Sequence, residues 1–241
     1  MKLVWAHFKA KMLELVRIPG LWIPLLGIPG ALFLFFGARS AQDQASAIQA
    51  MVAYAAFGVL GVAFFQFGVL VAADRDSPWE VYLRTLPVSP QVRFATRVLA
   101  GLVFALAIIA LIFVEATLLT PVQLAIKDWV SLCLTLLLGS IPFGLLGIAL
   151  GYWAHPRAAS AIANLLWIVL AYAGGVWGEP IQPVQIVSLY LPTRLYIDAI
   201  WTVAAGRGWQ VRAWLGLVVY AAVGGVLAVW GYRRDEGQNY R

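Results

Sequence analysis

Six apolar runs separated by short polar stretches organise this chain, at residues 21–37, 51–73, 98–119, 129–153, 159–177 and 213–232. A helix crossing a hydrocarbon core of about 30 Å needs about 20 apolar residues, so each run predicts one transmembrane span. Residues 1–17 follow a different pattern. Trp5, Phe8, Met12, Leu15 and Val16 recur at helical spacing, while Lys9, Lys11, Glu14 and Arg17 take the flanks and the opposite side. This pattern predicts an amphipathic helix lying in the membrane interface with its basic groups toward lipid phosphates. Pro19 and Gly20 are expected to break it and turn the chain into the membrane.

Between the second and third runs lies the largest polar island in the first two-thirds of the chain, residues 74–97. Its grammar is that of a short capped helix. Ser77 is a good N-cap, Pro78 suits the first helical position, and Glu80 sits where a capping-box carboxylate reaches back. Glu80 and Arg84 are spaced i, i+4 in the favourable order, and Leu86 before Pro87 ends the segment. Ser89-Pro90 then starts the next helix. The predicted helix turns Trp79, Tyr82, Leu83 and Leu86 one way and Glu80 and Arg84 the other.

The connection at residues 178–212 is long but nearly apolar at 186–191 and 195–205, and prolines 180, 183 and 192 cut it into short pieces. Arg194 and Asp198, again i, i+4, give the second piece a polar edge. Irregular backbone at membrane depth is tolerated where protein or a water-filled cavity surrounds it. The pattern fits two short re-entrant helices, with an amphipathic hairpin resting on the outer leaflet as the alternative.

Composition supports the spans. The 241 residues are 62% hydrophobic and 12% charged, whereas soluble domains carry about 25% charge. The expected fold is therefore an all-α integral membrane protein, a single domain over residues 1–241. The net charge of +6 raises nucleic acid as a partner, but its distribution points elsewhere. With the N-terminus inside, inner segments hold Lys2, Lys9, Lys11, Arg17, Arg75, Arg84, Arg93, Arg97, Arg157, Arg233, Arg234 and Arg241, and outer segments hold Arg39, Lys127, Arg194, Arg207 and Arg212. That asymmetry fits both termini in the cytoplasm of a multi-pass protein and contact with anionic lipid, not nucleic acid. Trp22, Trp129, Trp153, Trp177, Trp214, Trp230 and Tyr232 fall near span ends, as interfacial belts do. A leader ending near Ala38-Arg39-Ser40 would be unusually long, so the first span is read as uncleaved.

Candidate chemistry is sparse. Glu115 is the one acid within a predicted apolar run; it is read either as a structural acid near the outer interface or as a group in substrate passage or proton linkage. Gln66 and Asn164 are neutral polar groups at middle depth, suited to interhelical hydrogen bonding or to lining a pathway with Phe64, Phe65 and Trp167. Cys133 reads as an inert thiol, His7 and His155 lack ligand-spaced neighbours, and Arg93 and Arg97 are expected to snorkel to phosphates. Gly58, Gly61, Gly144, Gly147, Gly151, Gly224 and Gly225 allow close helix approach, within the chain or between copies, and Pro142 predicts a kink. No G-x-x-x-x-G-K-[ST] loop occurs, nor any Gly-Lys pair. An intramembrane protease would want paired aspartates, a Ser–His dyad or H-E-x-x-H, and a lipid-modifying enzyme several buried polar groups around one cavity. A secondary transporter or channel would want several midplane ionisable groups and an internal repeat.

The interfacial helix, six spans, the Glu80 to Pro90 stretch with Thr85-Leu86-Pro87-Val88-Ser89, and Ser188-Leu189-Tyr190-Leu191-Pro192 before the last span together resemble the ABC-2 family, the membrane subunits of type-two ATP-binding-cassette exporters. The resemblance implies a multi-pass permease of a bacterial or archaeal cytoplasmic membrane. It pairs with an identical or homologous permease and is driven by two cytoplasmic ABC ATPase subunits that bind the ATP and Mg. No cofactor would sit in this chain. Residues 74–97 would carry the coupling helix, with Trp79, Tyr82, Leu83 and Leu86 as apolar contacts and Glu80 and Arg84 as polar ones. Tyr190, Pro192, Arg194 and Asp198 would belong to an outer gate. Asp74-Arg75-Asp76 departs from the Glu-Arg often found in relatives. The apolar and aromatic pathway candidates tilt the expected substrate toward a hydrophobic or amphipathic molecule such as a drug, antibiotic or lipid.

Overall fold

The second span starts before its apolar run does, because Asp43 caps it. The Asp43 carboxylate accepts the Ser46 backbone N–H at 2.8 Å, and the Ser46 hydroxyl accepts the Asp43 N–H at 3.0 Å, a reciprocal capping box. The computed structural model describes residues 2–75, 77, 90–179, 182 and 184–238. Among them every regular element is helical, and six helices are long and apolar enough to cross a membrane: Trp22–Ser40, Gln44–Arg75, Ala95–Leu119, Ile126–Trp153, Pro156–Ala173 and Val211–Asp235. The all-α, six-span expectation is met.

The second span is the post around which the others stand. Of its most apolar stretch 83% is buried, against 28% for the first and fifth spans and 22% for the sixth. Close backbone approach makes this possible. A Cβ on Gly147 would collide with the Ala63 carbonyl oxygen, and one on Gly151 would lie 2.6 Å from Val71 Cβ and 2.8 Å from the Gly68 carbonyl oxygen. Lipid offers helices no hydrophobic incentive to associate, so contact between small residues carries much of the packing. Gly147 and Gly151 thus serve packing within the chain. Gly224 likewise abuts Leu145 and Leu146 of the fourth span.

Several local expectations are refined. The fourth span is two helices, Ile126–Gly139 and Ile141–Trp153, meeting at Ser140. Pro142 lacks the N–H that would continue the ladder, and the Ser140 hydroxyl donates to the Leu137 carbonyl at 2.7 Å. The fifth span ends at Ala173 rather than running to 177. Gly175, at φ 78°, closes it in a Schellman turn, with Val176 N–H on the Ala171 carbonyl and Gly175 N–H on that of Tyr172. Near the N-terminus the break falls at Arg17 and Ile18; Pro19 begins the next helix and Gly20 lies inside it.

The N-terminal helix, Lys2–Val16, packs against the third-span helix. Leu15 is buried, Phe8 and Met12 are partly buried against the core, and Trp5, though exposed, stacks on Phe8 at 5.4 Å between ring centroids. Lys11 departs from the expected lipid-facing arrangement: it turns inward to carboxylates of its own chain.

Because Gly147 meets backbone, its substitution should be far costlier than one at Gly225, where an added Cβ would make only ordinary contact with Leu145, at 3.9 Å. Gly147→Ala is expected to destabilise by about 1–3 kcal/mol, read as a lowered melting temperature of the detergent-solubilised protein. Gly225→Ala should change little. Equal melting temperatures for the two variants would contradict this packing.

Candidate functional site

The charged residues at the ends of spans two, three and six converge at one end of the bundle, where the N-terminal helix and the end of the sixth span each reach the second span. Asp74, in the last turn of the second span, accepts from Arg97 Nη2 at 2.6 Å and lies 3.3 Å from Lys11 Nζ, which also pairs with Glu14 at 3.0 Å. The next residue, Arg75, points the other way. Its Nε lies 3.0 Å from Asp235 Oδ1 at the end of the sixth span, and its Nη1 donates to the carbonyls of Gly151 and Tyr152 at 2.9 and 2.7 Å. Those carbonyls belong to the last turn of the fourth span, where a guanidinium satisfies orphan acceptors and complements the helix dipole.

Two consecutive residues therefore bind the second span to the N-terminal helix and to spans three, four and six. The side chains of Lys11, Asp74, Arg75, Arg97 and Asp235 are only 11–20% exposed. In such surroundings a pair is much stronger than at a wet surface, and removing one partner strands the other. That costs about 3–5 kcal/mol when burial is complete and less at this partial burial. The sequence reading expected Arg97 to snorkel to lipid phosphate; the structure gives it Asp74 instead. It also passed over Lys11, Asp74, Arg75 and Asp235 as a group, since they are separated by 63 residues or more in the two pairings that matter, and local spacing carries no trace of them.

This clamp brackets the segment predicted to form the short capped helix. Asp74 precedes it, Arg97 follows it, and the Ser77 N–H closes a turn on the Asp74 carbonyl at 3.0 Å. Trp79, Glu80, Tyr82, Leu83, Arg84 and Leu86 themselves lie outside the described residues.

The pathway candidates fall in three places. Trp167 of the fifth span donates its indole N–H to the Phe57 carbonyl at 2.8 Å, stacks on the Phe57 ring at 4.2 Å, and meets Phe65 edge-on at 5.7 Å. It is the chief tie between spans five and two. Phe64 and Gln66 are buried in the protomer, Phe65 is half-buried, and both amide atoms of Gln66 lack a protein partner at a wide, π-type turn over Phe65–Val69. Asn164 instead is exposed, one turn from Trp167 at the edge of the stripe that Ala163 and Trp167 bury. Glu115 faces Gly30 of the first span, with Oε2 buried and without a hydrogen-bond partner. His155 caps the fifth span by accepting the Arg157 N–H at 3.3 Å.

At the opposite end, the short helices Val184–Ser188 and Pro192–Ala204 occupy the predicted positions. Tyr196 is wholly buried and donates to the Leu136 carbonyl at 2.9 Å, well inside the fourth span, while Thr193 packs on Gly174. Arg194 pairs with Asp198 through Nε at 3.0 Å, as the spacing suggested, and also grips Glu179 with both terminal nitrogens at 2.7 and 2.8 Å. Glu179, which sequence reading missed, is fifteen residues away. Pro192 is buried and Tyr190 exposed.

With this geometry in place, comparison with known proteins decides the family. The family model of the ABC-2 type transporter matches residues 2–203. The chain belongs to the ABC-2 type transporter family. It is a transport permease by that membership, and it is similar to the "Putative transport permease YvfS" of Bacillus subtilis (strain 168), at 24% identity over 183 residues, 75% of each chain. No solved structure matches it.

The permease's far-end clamp carries a pH dependence. Hydrogen bonds from Arg194 hold the Glu179 carboxyl below its ordinary value of 4.5. A carboxyl depressed by folding stabilises the folded state above its unfolded pKa, and this contribution is lost as pH falls through the folded value. Glu179 is 59% exposed on its side chain, so solvent screening holds its contribution to about 1 kcal/mol or less. The melting-temperature gap between wild type and Glu179→Gln should be present at pH 7 and shrink as the pH is lowered below the ordinary glutamate value of 4.5. A gap unchanged by acid would contradict the assignment.

Proposed function

We propose that this ABC-2 type permease is the membrane subunit of an ATP-driven exporter, moving a hydrophobic or amphipathic substrate across a bacterial or archaeal cytoplasmic membrane. Two cytoplasmic ABC ATPase subunits hold the ATP and Mg and supply the energy. A second permease, identical or homologous, completes the pathway. The clamped end faces the cytoplasm, in keeping with the excess of Lys and Arg assigned to the inner segments.

The observation that carries this reading is the clamp at Asp74 and Arg75. Asp74 and Arg97, on either side of the sequence that carries the coupling candidates, are bonded to each other. In this reading a partner that grips that sequence pulls on the bonded pair. Through Lys11, Arg75 and Asp235 the same pull reaches the N-terminal helix and spans four and six. In this reading Trp79, Tyr82, Leu83 and Leu86 seat in an ATPase groove, with Glu80 and Arg84 at its rim.

Asn164 supports a second permease on the fifth-span face. An amide left toward hydrocarbon is costly, and such groups in membrane helices usually meet a protein partner or a wet cavity. Trp167, Phe64, Phe65 and Gln66 then form the wall behind that face, and the buried Gln66 amide is a polar group that a passing substrate would meet once that wall opens; Glu115, against the first span, would contribute to passage from the other side of the bundle. At the outer end, Pro192–Ala204 is a re-entrant helix, a role supported by the reach of Tyr196 to Leu136. Tyr190, Pro192, Arg194 and Asp198 help close that end.

Reconstitution with its ABC ATPase tests the reading. Trp79→Glu and Leu86→Glu should each lower permease-stimulated ATP hydrolysis by roughly tenfold or more, as expected of anchors at the centre of an interface, with the melting temperature of the isolated permease unchanged. Stimulation intact in both variants would overturn the coupling assignment.

A further inference from the structure

The fourth and sixth spans end side by side at the clamped end, and aromatic rings join them there. The Trp153 indole lies along the sixth-span backbone at Gly231, where an added Cβ would sit 2.9 Å from its Nε1. Its N–H donates to the Leu227 carbonyl at 3.1 Å, and its ring meets that of Trp230 edge-on at 4.9 Å. The Arg234 guanidinium then stacks over Trp153, 5.0 Å from the ring centroid. Both indoles stay open to the outside, Trp153 at 40% and Trp230 at 59% exposed. Exposed tryptophans at span ends lie at the level of the lipid headgroups.

The cation placed there is suited to an anion. A guanidinium held by one flat face against an indole keeps its N–H groups in plane, where they can donate to a phosphate. Arg233 and Arg234 are both exposed, and neither takes part in the ion pairs among the described residues. The next residue, Asp235, faces the opposite way and binds Arg75 of the clamp. Leading up to the two arginines, Val219, Val223, Val226 and Trp230 recur at i, i+4, i+7 and i+11, all exposed on one face of the sixth span. At 1.5 Å per residue that stripe is about 16 Å long, close to half of a 30 Å hydrocarbon core. A one-leaflet apolar track ending in two cations matches a molecule with an acyl tail and an anionic head.

We propose that Trp153, Trp230, Arg233 and Arg234 form a binding site for an anionic phospholipid of the cytoplasmic leaflet, with its phosphate on the two guanidinium groups and an acyl chain along the valine stripe. The leaflet rests on the orientation proposed above; the binding itself does not. A second copy of the chain is disfavoured as occupant. Two-fold pairing sets a face against itself, and would bring Arg233 and Arg234 of both copies together. A soluble acidic partner would meet the arginines but leave the valine stripe uncovered.

The test is native mass spectrometry of the full chain in detergent, titrated with phosphatidylglycerol or with phosphatidylcholine of the same acyl chains. The wild type should hold one phosphatidylglycerol severalfold more tightly than phosphatidylcholine. The double variant Arg233→Gln with Arg234→Gln should weaken that lipid about 25-fold, about fivefold for each basic residue at an anionic lipid surface. The same loss of charge at the opposite end, Arg207→Gln with Arg212→Gln, also at exposed positions, should leave it in place. Equal affinity for the two lipids, or equal weakening in the two double variants, would overturn the site in favour of attraction spread over the whole surface. Unchanged lipid binding with lost ATPase stimulation in the Arg233 and Arg234 variant would assign the arginines to a soluble partner, and would also overturn it. The lipid is counted on the isolated permease, so this proposal and the ATPase-coupling proposal fail separately.

Discussion

A single carboxylate, shared between two cations at the base of the most buried helix, is the constraint from which the arrangement of this permease follows. Asp74 holds Lys11 and Arg97 at once. Without it, two cations would crowd an environment too dry to screen them. With it, the N-terminal helix and the third span take fixed positions relative to the second. Arg75 repeats the arrangement toward spans four and six. Adjacent residues of opposite sign on one helical turn thus divide the bundle's contacts between two sides.

Above the clamp, the second span is held by shape. Gly147 and Gly151 bring the fourth span onto the backbone of Ala63 and Gly68, and Trp167 locks the fifth span by one hydrogen bond and a stacked ring. These contacts are short-range, and a small shift would break them. The π-type turn at Phe65–Val69 is the one irregular turn in the second span. It lies beside the unsatisfied Gln66 amide, where the post is best able to change register or bend.

How much of this was legible in the sequence depended on the range of the interaction. The six spans were readable because a hydrocarbon core imposes a length that polar interruptions cannot meet. Their ends were less so: the Asp43 capping box lengthens the second span, and the Schellman turn at Gly175 shortens the fifth. The short helices after Glu179 were readable from their prolines, but the Glu179 to Arg194 grip was not. The clamp was illegible for the same reason, since Lys11 reaches Asp74, and Arg75 reaches Asp235, only after the chain has crossed the membrane more than once. Facing was hardest. A helix apolar on every side has no pattern to show which way Gln66 or Asn164 points, and the structure buries the first and exposes the second. The resemblance to ABC-2 exporters, read from the polar island and the Ser188 to Pro192 stretch, held at the level of the family.

The central claim is that Asp74 and Arg97 are energetically coupled across the base of the polar segment. A double-mutant cycle with Asp74→Asn and Arg97→Met, measured by equilibrium unfolding of the purified permease in detergent, tests it most directly. The account predicts an interaction energy of about 1–3 kcal/mol. Strictly additive effects, with a coupling near zero, would mean that the two residues merely sit side by side, and the segment between them would have no fixed base.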